Sequence, residues 1–301
     1  MSYILVSLWP LFVLILAGHG MRRFGFPGEG FWPGAERLNY YILFPALLFN
    51  SLIAAPLNHP ALPRLLAAVG LVLFIATAGL LALRRLKEWP ASRFGVLLQG
   101  MLRFNTYLGL AAVSGLYGKE GLLLATVILA VLVPAVNVLS VMALSADNTK
   151  TVRSLLIPVA RNPLILACAA GAAVNLAGIE PGWGTDRLLT MLANTSLPLG
   201  LLSVGAALKL NELRGQLGTL VGNSLGRLLL MPALAFMTAR ALELPTTESA
   251  ILLLFFALPT APTAYVLARQ LGGDSHLMAG LITFQTLLSA ISLLLIMAAL
   301  A

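Results

Sequence analysis

Two stretches of this chain interrupt hydrophobic runs that are otherwise long enough to cross a bilayer. The first is Arg103-Phe104-Asn105-Thr106-Tyr107-Leu108-Gly109, and the second is Leu258-Pro259-Thr260-Ala261-Pro262-Thr263. A helix broken at such a place frees backbone N–H and C=O groups that hydrocarbon cannot satisfy. Breaks of this kind persist where they are buried in protein or line a cavity, and broken spanning helices often frame the binding site of a secondary transporter. Whatever the chain folds into has to bring these two breaks somewhere polar.

Composition fixes the surroundings of the breaks. Of the 301 residues, 59% are hydrophobic and only 10% are charged, against roughly 25% charged in a soluble domain. That deficit puts the chain in the membrane class, with all-α, polytopic architecture. At roughly 20 residues per span, the length leaves room for about ten spans and no sizeable soluble domain. They are expected at about 3–21, 36–54, 61–83, 93–116, 121–145, 159–178, 187–208, 217–240, 248–270 and 276–300. Met1–Trp9 carries no Lys or Arg and no small-residue cleavage site follows, so the first segment reads as a span and not as a signal peptide. The single cysteine, Cys168, lies in an apolar run and excludes an intrachain disulfide framework.

The net charge of +8 invites a nucleic-acid partner, but the basic residues are dispersed at segment ends and read as topology signals. Connectors after odd-numbered spans hold 13 Lys and Arg, those after even-numbered spans 4. By the positive-inside rule the odd connectors face the cytoplasm and both termini lie outside. In a bacterium that means a multi-pass inner-membrane protein with periplasmic termini. Its partners are the lipid bilayer and a small solute, with no nucleic acid.

An internal repeat is visible. At a shift of 153, Pro10 falls on Pro163, Gly18 on Gly171 and Pro45 on Pro198; at 154, Asn105-Thr106 falls on Pro259-Thr260 and Gly118 on Gly272. The halves are 1–146 and 151–301, with Asp147–Lys150 as the midpoint. Five spans per half make the second half enter from the opposite side, an inverted repeat, in which broken helices 4 and 9 are equivalents that meet at the midplane.

The same residues resemble the auxin efflux carrier family of plants and bacteria. Asn105-Thr106 with Gly109 and Gly118, and Leu258-Pro259 leading into Tyr265-Val266-Leu267-Ala268, look like its fourth and ninth spans. Arg161-Asn162-Pro163-Leu164, Asn39 with Pro45, and Leu202-Ser203-Val204-Gly205 fit as well. The resemblance covers the whole chain. It implies ten helices as two inverted five-helix repeats, related to bile-acid/sodium symporters. Helices 1, 2, 6 and 7 (about 3–54 and 159–208) would form a scaffold domain. Helices 3–5 and 8–10 (about 61–145 and 217–300) would form a transport domain, with 4 and 9 crossing in it. It also implies carriage of organic anions by alternating access, and relatives of this fold point to a homodimer through the scaffold. The plant carriers' long cytoplasmic loop is absent and their proline before the span-four Asn-Thr is Phe104. A dicarboxylate is therefore a better default substrate than auxin.

Candidate site residues follow from chemistry at the breaks. An Arg inside a span costs about 2.5–3.5 kcal/mol on insertion scales, so Arg103 should face a cavity or partner, and its planar fork suits a carboxylate. Asn105, Thr106, Gly109, Pro259, Thr260 and Thr263 flank the openings, and Asn50 is placed on the scaffold side with Asn194 and Ser203. Asn137 and Gln285 could reach the crossover from behind as an ion or supporting shell. Arg227 has no carboxylate in its own segment and reads as a contact to a helix end. Each helix that restarts after a break turns its N-terminus to the cavity, which favours an anion.

Absences narrow the class. Every Asp and Glu, Glu36 among them, falls in a connector or near a span end, which argues against sodium coupling through a membrane carboxylate. No Walker motif, metal-ligand cluster or nucleophile–base pair is present, so neither an enzyme nor a cofactor is expected. Two other readings stay open. One is a sodium- or proton-coupled carrier of another solute; the other is a membrane sensor that binds a metabolite without moving it.

Overall fold

The computed structural model describes residues 2–28, 30–55, 57, 59–146, 161–179, 182 and 184–300. The midpoint Asp147–Lys150 and the expected start of the sixth span lie outside the described residues. Among these residues every regular element is helical. The first half runs α1 (Ser2–Arg23), α2 (Phe31–Leu38), α3 (Phe44–Ile53), α4 (Leu62–Lys87), α5 (Ala91–Leu102) and α6 (Thr106–Leu144). The second runs α7 (Pro163–Leu176), α8 (Thr185–Ala207), α9 (Leu217–Leu225), α10 (Met231–Ala241), α11 (Thr246–Ala257), α12 (Thr263–Gln270) and α13 (Ser275–Leu300). Among the described residues six helical stretches are long and apolar enough to cross a membrane, one of them, Ala91–Leu144, including the first break. The protein is a multi-pass membrane protein.

Local sequence explains where helices bend. The widened turns Asn39–Leu43 and Gly226–Leu230 each begin six residues before a proline, Pro45 and Pro232, and join α2 to α3 and α9 to α10. A proline removes an N–H and pushes on the carbonyl one turn back, and a π turn absorbs both. Helix α6 contains a kink at Gly118 (φ 61°, ψ −152°), a conformation open to glycine alone. The kink divides α6 into two segments at the connector expected between spans four and five. Helix α2 starts five residues before the expected edge of the second span, because Phe31-Trp32 buries Trp32 and extends the apolar face.

Matching contacts recur between the halves. Gly18 of α1 lies against the backbone of Leu202 on α8, where a Cβ would come within 2.0 Å of the Leu202 carbonyl oxygen. Gly171 of α7 lies likewise against Phe49 of α3, at 2.9 Å. A spacing of 153 residues separates Gly18 from Gly171 and also Phe49 from Leu202. At the same spacing, Arg22 donates to the carbonyl of Ala206 and Asn175 donates to the carbonyl of Ile53, each closing the end of the helix it crosses. The two breaks are entered alike: Glu88 and Glu243 both stand at φ 51°, and Pro90 and Pro245 then precede the twelve-residue helices α5 and α11.

Helix α1 packs on α8, and α3 packs on α7 and α8. Helix α5 packs on α6, α10 on α4 and α11, and α13 on α9 and α11, while α6 also packs on α1, α3 and α8. Without a hydrophobic drive between helices in lipid, close approach through small residues supplies the contact. Gly205 shows how tight this is, since a Cβ there would sit 1.7 Å from the Ile15 carbonyl oxygen. Gly205→Ala should therefore cost about 1–3 kcal/mol or more by overpacking, while Gly20→Ala, with nothing within 4 Å, should cost almost nothing. Thermal unfolding of the two variants in detergent checks this.

Candidate functional site

The two breaks meet. The backbone N–H of Asn105 donates to the carbonyl of Pro259 at 2.8 Å, joining the extended segments at the heart of the molecule. Both segments leave their helices in extended conformation, Arg103 at φ −74°, ψ 136° and Leu258 at φ −67°, ψ 148°.

Several of the backbone groups freed by the breaks have a partner. Arg227 of the widened turn before α10 is fully buried, with no carboxylate within ion-pair distance among the described residues. Its guanidinium donates to the carbonyls of Leu258 (2.6 Å), Met101 (2.7 Å) and Phe255 (3.1 Å). It thus closes the C-terminal ends of α5 and α11 together, where two helix dipoles place negative charge. Gln285 of α13 accepts from the Thr260 N–H at 3.0 Å and donates to the Gly100 carbonyl at 3.1 Å. The Thr260 hydroxyl lies 2.9 Å from the Gly100 carbonyl oxygen and 2.6 Å from Gln285 Oε1. Asn223 extends this cluster, donating to the Leu97 carbonyl at 2.9 Å and accepting from Gln285 Nε2 at 3.1 Å. The Asn105 side chain caps α6 by accepting from the Leu108 N–H at 3.2 Å.

On the opposite side of the crossover lies a cavity of about 70 Å³, bordered by Arg103, Asn105, Thr106, Asn137, Ser203 and Thr263 together with Glu36, Tyr40, Tyr107 and Asn162. It adjoins a vestibule of about 440 Å³ that shares Glu36, Tyr40, Arg103, Asn137, Asn162 and Thr263 and reaches out to Arg37 and Gln270. Three helices begin at the inner cavity: α6 after its cap Asn105, α7 after its cap Asn162, and α12 after Pro262. Each N-terminus carries roughly half a positive charge from unpaired N–H groups. Arg103 adds a whole one, and its Nη2 donates to the Thr263 hydroxyl at 3.2 Å with no carboxylate within ion-pair distance among the described residues. The buried Asn105 Nδ2 and Ser203 Oγ have no hydrogen-bond partner among the described residues.

The sequence candidates therefore separate by position. Arg103, Asn105, Thr106, Thr263 and Asn137 border the cavity. Pro259, Thr260 and Gln285 hold the crossover from behind. Gly109 faces away, its missing side chain leaving room for Leu258 and Phe255. Asn50 on α3 borders neither cavity, and Asn194 is exposed. Tyr40, Tyr107 and Asn162 were not singled out from the sequence as cavity residues; Asn162 could have been, since Asn-Pro at a helix start puts a cap at that end. Glu36, near the expected start of the second span, borders both cavities, on a helix that begins five residues earlier than expected.

A family profile described as membrane transport protein matches residues 148–297. The chain belongs to this membrane transport protein family, the auxin efflux carriers. Relatives of this transporter include an uncharacterized transporter of Methanothermobacter thermautotrophicus, 24% identical over 286 residues and covering 93% of each chain. A Rhizobium meliloti protein whose name proposes malonate transport is 30% identical over 137 residues, 44% of this chain and 41% of that one. The matched region contains α12, most of α13 and Arg227, so the transporter's crossover falls partly inside it.

Replacing Arg227 by Met removes three hydrogen bonds at once. Membrane hydrogen bonds average about 0.6 kcal/mol and reach about 1.7, and bonds to a charged donor lie at the upper end. A loss of about 2–5 kcal/mol is expected, read as a lowered midpoint of thermal unfolding. Gln285→Leu should show a smaller loss of the same kind.

Proposed function

We propose that the protein is a secondary carrier of small organic anions, dicarboxylates above all, binding its substrate in the cavity beside the crossover of the two broken spans. The observation that carries this reading is the charge arrangement: three helix N-termini and Arg103 converge on one small cavity. An anion there meets backbone N–H groups, a guanidinium fork and the unpartnered Asn105 Nδ2 and Ser203 Oγ. Arg103 and Thr263 would hold one carboxylate, with Thr106, Asn137 and Asn162 around it. The small cavity volume suits a compact solute, and malonate, from the name of the Rhizobium meliloti relative, is the natural first probe.

The reading extends to mechanism. Counting each broken segment as one span, and dividing α6 at Gly118, gives ten spans. The recurrence of crossing glycines, helix-end contacts and positive-φ residues near a spacing of 153–155 supports two inverted repeats of five. Helices α1, α2, α3, α7 and α8 would serve as scaffold and the remainder as a transport domain that moves past it, elevator-fashion. With odd connectors cytoplasmic, the vestibule at Arg37 and Gln270 opens to the cytoplasm, so this is an inward-open form of an inner-membrane protein with periplasmic termini. A homodimer through the scaffold fits the same picture.

The test is ligand-induced thermal stabilisation of the purified protein with malonate, malate, succinate and an auxin-like monocarboxylate, followed by flux in vesicles. A bound ligand raises the unfolding midpoint by mass action. Arg103→Ala should weaken binding at least tenfold and abolish flux while the protein still folds, because among the described residues Arg103 makes one hydrogen bond, to a neutral hydroxyl, whereas Arg227 makes three at the crossover. Stabilisation by a cation or neutral solute that survives Arg103→Ala overturns the anion reading and favours the coupled carrier of another solute. Binding without flux favours the sensor.

A further inference from the structure

Glu36 is the one acidic side chain in the wall of either cavity among the described residues, and it borders both. It is half-buried and makes no ion pair there. The surrounding charges are few. On its own helix and the turn that follows stand Arg37, Tyr40 and Tyr41, and across the cavity Arg103, Tyr107, Asn137, Asn162 and Gln270. Helix α8, which packs against α2, carries no titratable side chain from Met191 to Ala207. Arg22, at the end of α1, is engaged by the Ala206 carbonyl.

Consider an anion entering this site. The helix N-termini and Arg103 attract it, while an ionised Glu36 in the same confined wall repels it. Two like charges sharing a small, poorly hydrated space favour protonation of one of them. Arginine and tyrosine titrate far above neutrality, which leaves Glu36 as the wall group able to take a proton near it. Resting on the anion reading above, we propose that Glu36 is a proton-binding site linked to the substrate site, so that the carrier binds one proton, drawn from the vestibule, with each organic anion. Linkage is reciprocal: the anion favours protonated Glu36, and the proton favours bound anion. Glu36 sits where the inner cavity meets the vestibule, so water reaches it before the substrate seals the passage. Such a carrier would move its anion with the proton gradient.

The experiment is proton uptake on binding. Detergent-purified protein in weak buffer with a pH indicator is titrated with malonate, or with whichever dicarboxylate of the panel binds, at pH values from about 6.5 to 8.5, around the range where a perturbed carboxylate changes charge. The wild type should take up close to one proton per malonate, and its affinity should fall by up to about tenfold per pH unit on the alkaline side. Glu36→Gln should bind malonate without proton uptake and with flat pH dependence. Glu36→Asp should keep the uptake. Malonate's own protonation contributes equally to every variant, so the difference reports Glu36. Wild-type binding without uptake overturns the proposal by itself, even if Glu36→Gln fails to fold, and an unchanged pH slope in Glu36→Gln overturns it too. Failure of every carboxylate to bind overturns the anion reading instead.

Discussion

Backbone polar groups set free inside hydrocarbon must find partners within the protein, and the rest of this structure depends on how that demand is met at the two breaks. Breaking a spanning helix releases N–H groups on one side and carbonyls on the other. Here the two breaks are set against each other so that Asn105 N–H reaches the Pro259 carbonyl. The carbonyl ends of α5 and α11 then fall near one another, and one buried guanidinium, Arg227, serves both. Thr260, Gln285 and Asn223 complete the account from behind. The N–H ends are left facing the other way, into the cavity.

That division gives the site its polarity. The side of the crossover that collects carbonyls is occupied by a fixed cation and closed; the side that collects N–H groups is open and positive. Arg103 and Arg227 show the contrast, because the same side chain plays different parts according to what surrounds it. Arg227 spends its donors on three carbonyls, whereas among the described residues Arg103 donates to one hydroxyl, that of Thr263, and borders the cavity. Among the described residues Glu36 supplies the one acidic group in that wall, so the field at the cavity depends on a carboxylate contributed by α2.

The crossings of α1 with α8 and of α3 with α7 follow a different rule. Gly18, Gly171 and Gly205 let backbones touch, and the ends of those crossings are sealed by Arg22 and Asn175. The cavity lies where residues of α2, α6, α7, α8 and α12 come together.

The sequence alone determined the membrane class, the positions of both breaks, the spacing of the halves and the candidacy of Arg103, Asn105 and Thr263, because composition and proline, glycine and charge placement are local properties. It could also anticipate that Arg227 would meet helix ends, since no acid lay within reach along its segment. It did not reveal that Thr260 and Pro259 turn away from the cavity, that Gly109 is a packing position, or that Asn50 borders neither cavity. Those depend on the rotation of each half-helix about its axis, which is set by tertiary contacts such as Asn105 to Pro259. Glu36 is the clearest case. Its place near a span end is a one-dimensional fact, but a side chain at a helix end borders whatever the neighbouring helices enclose there, and only their packing puts it opposite Arg103 across a cavity.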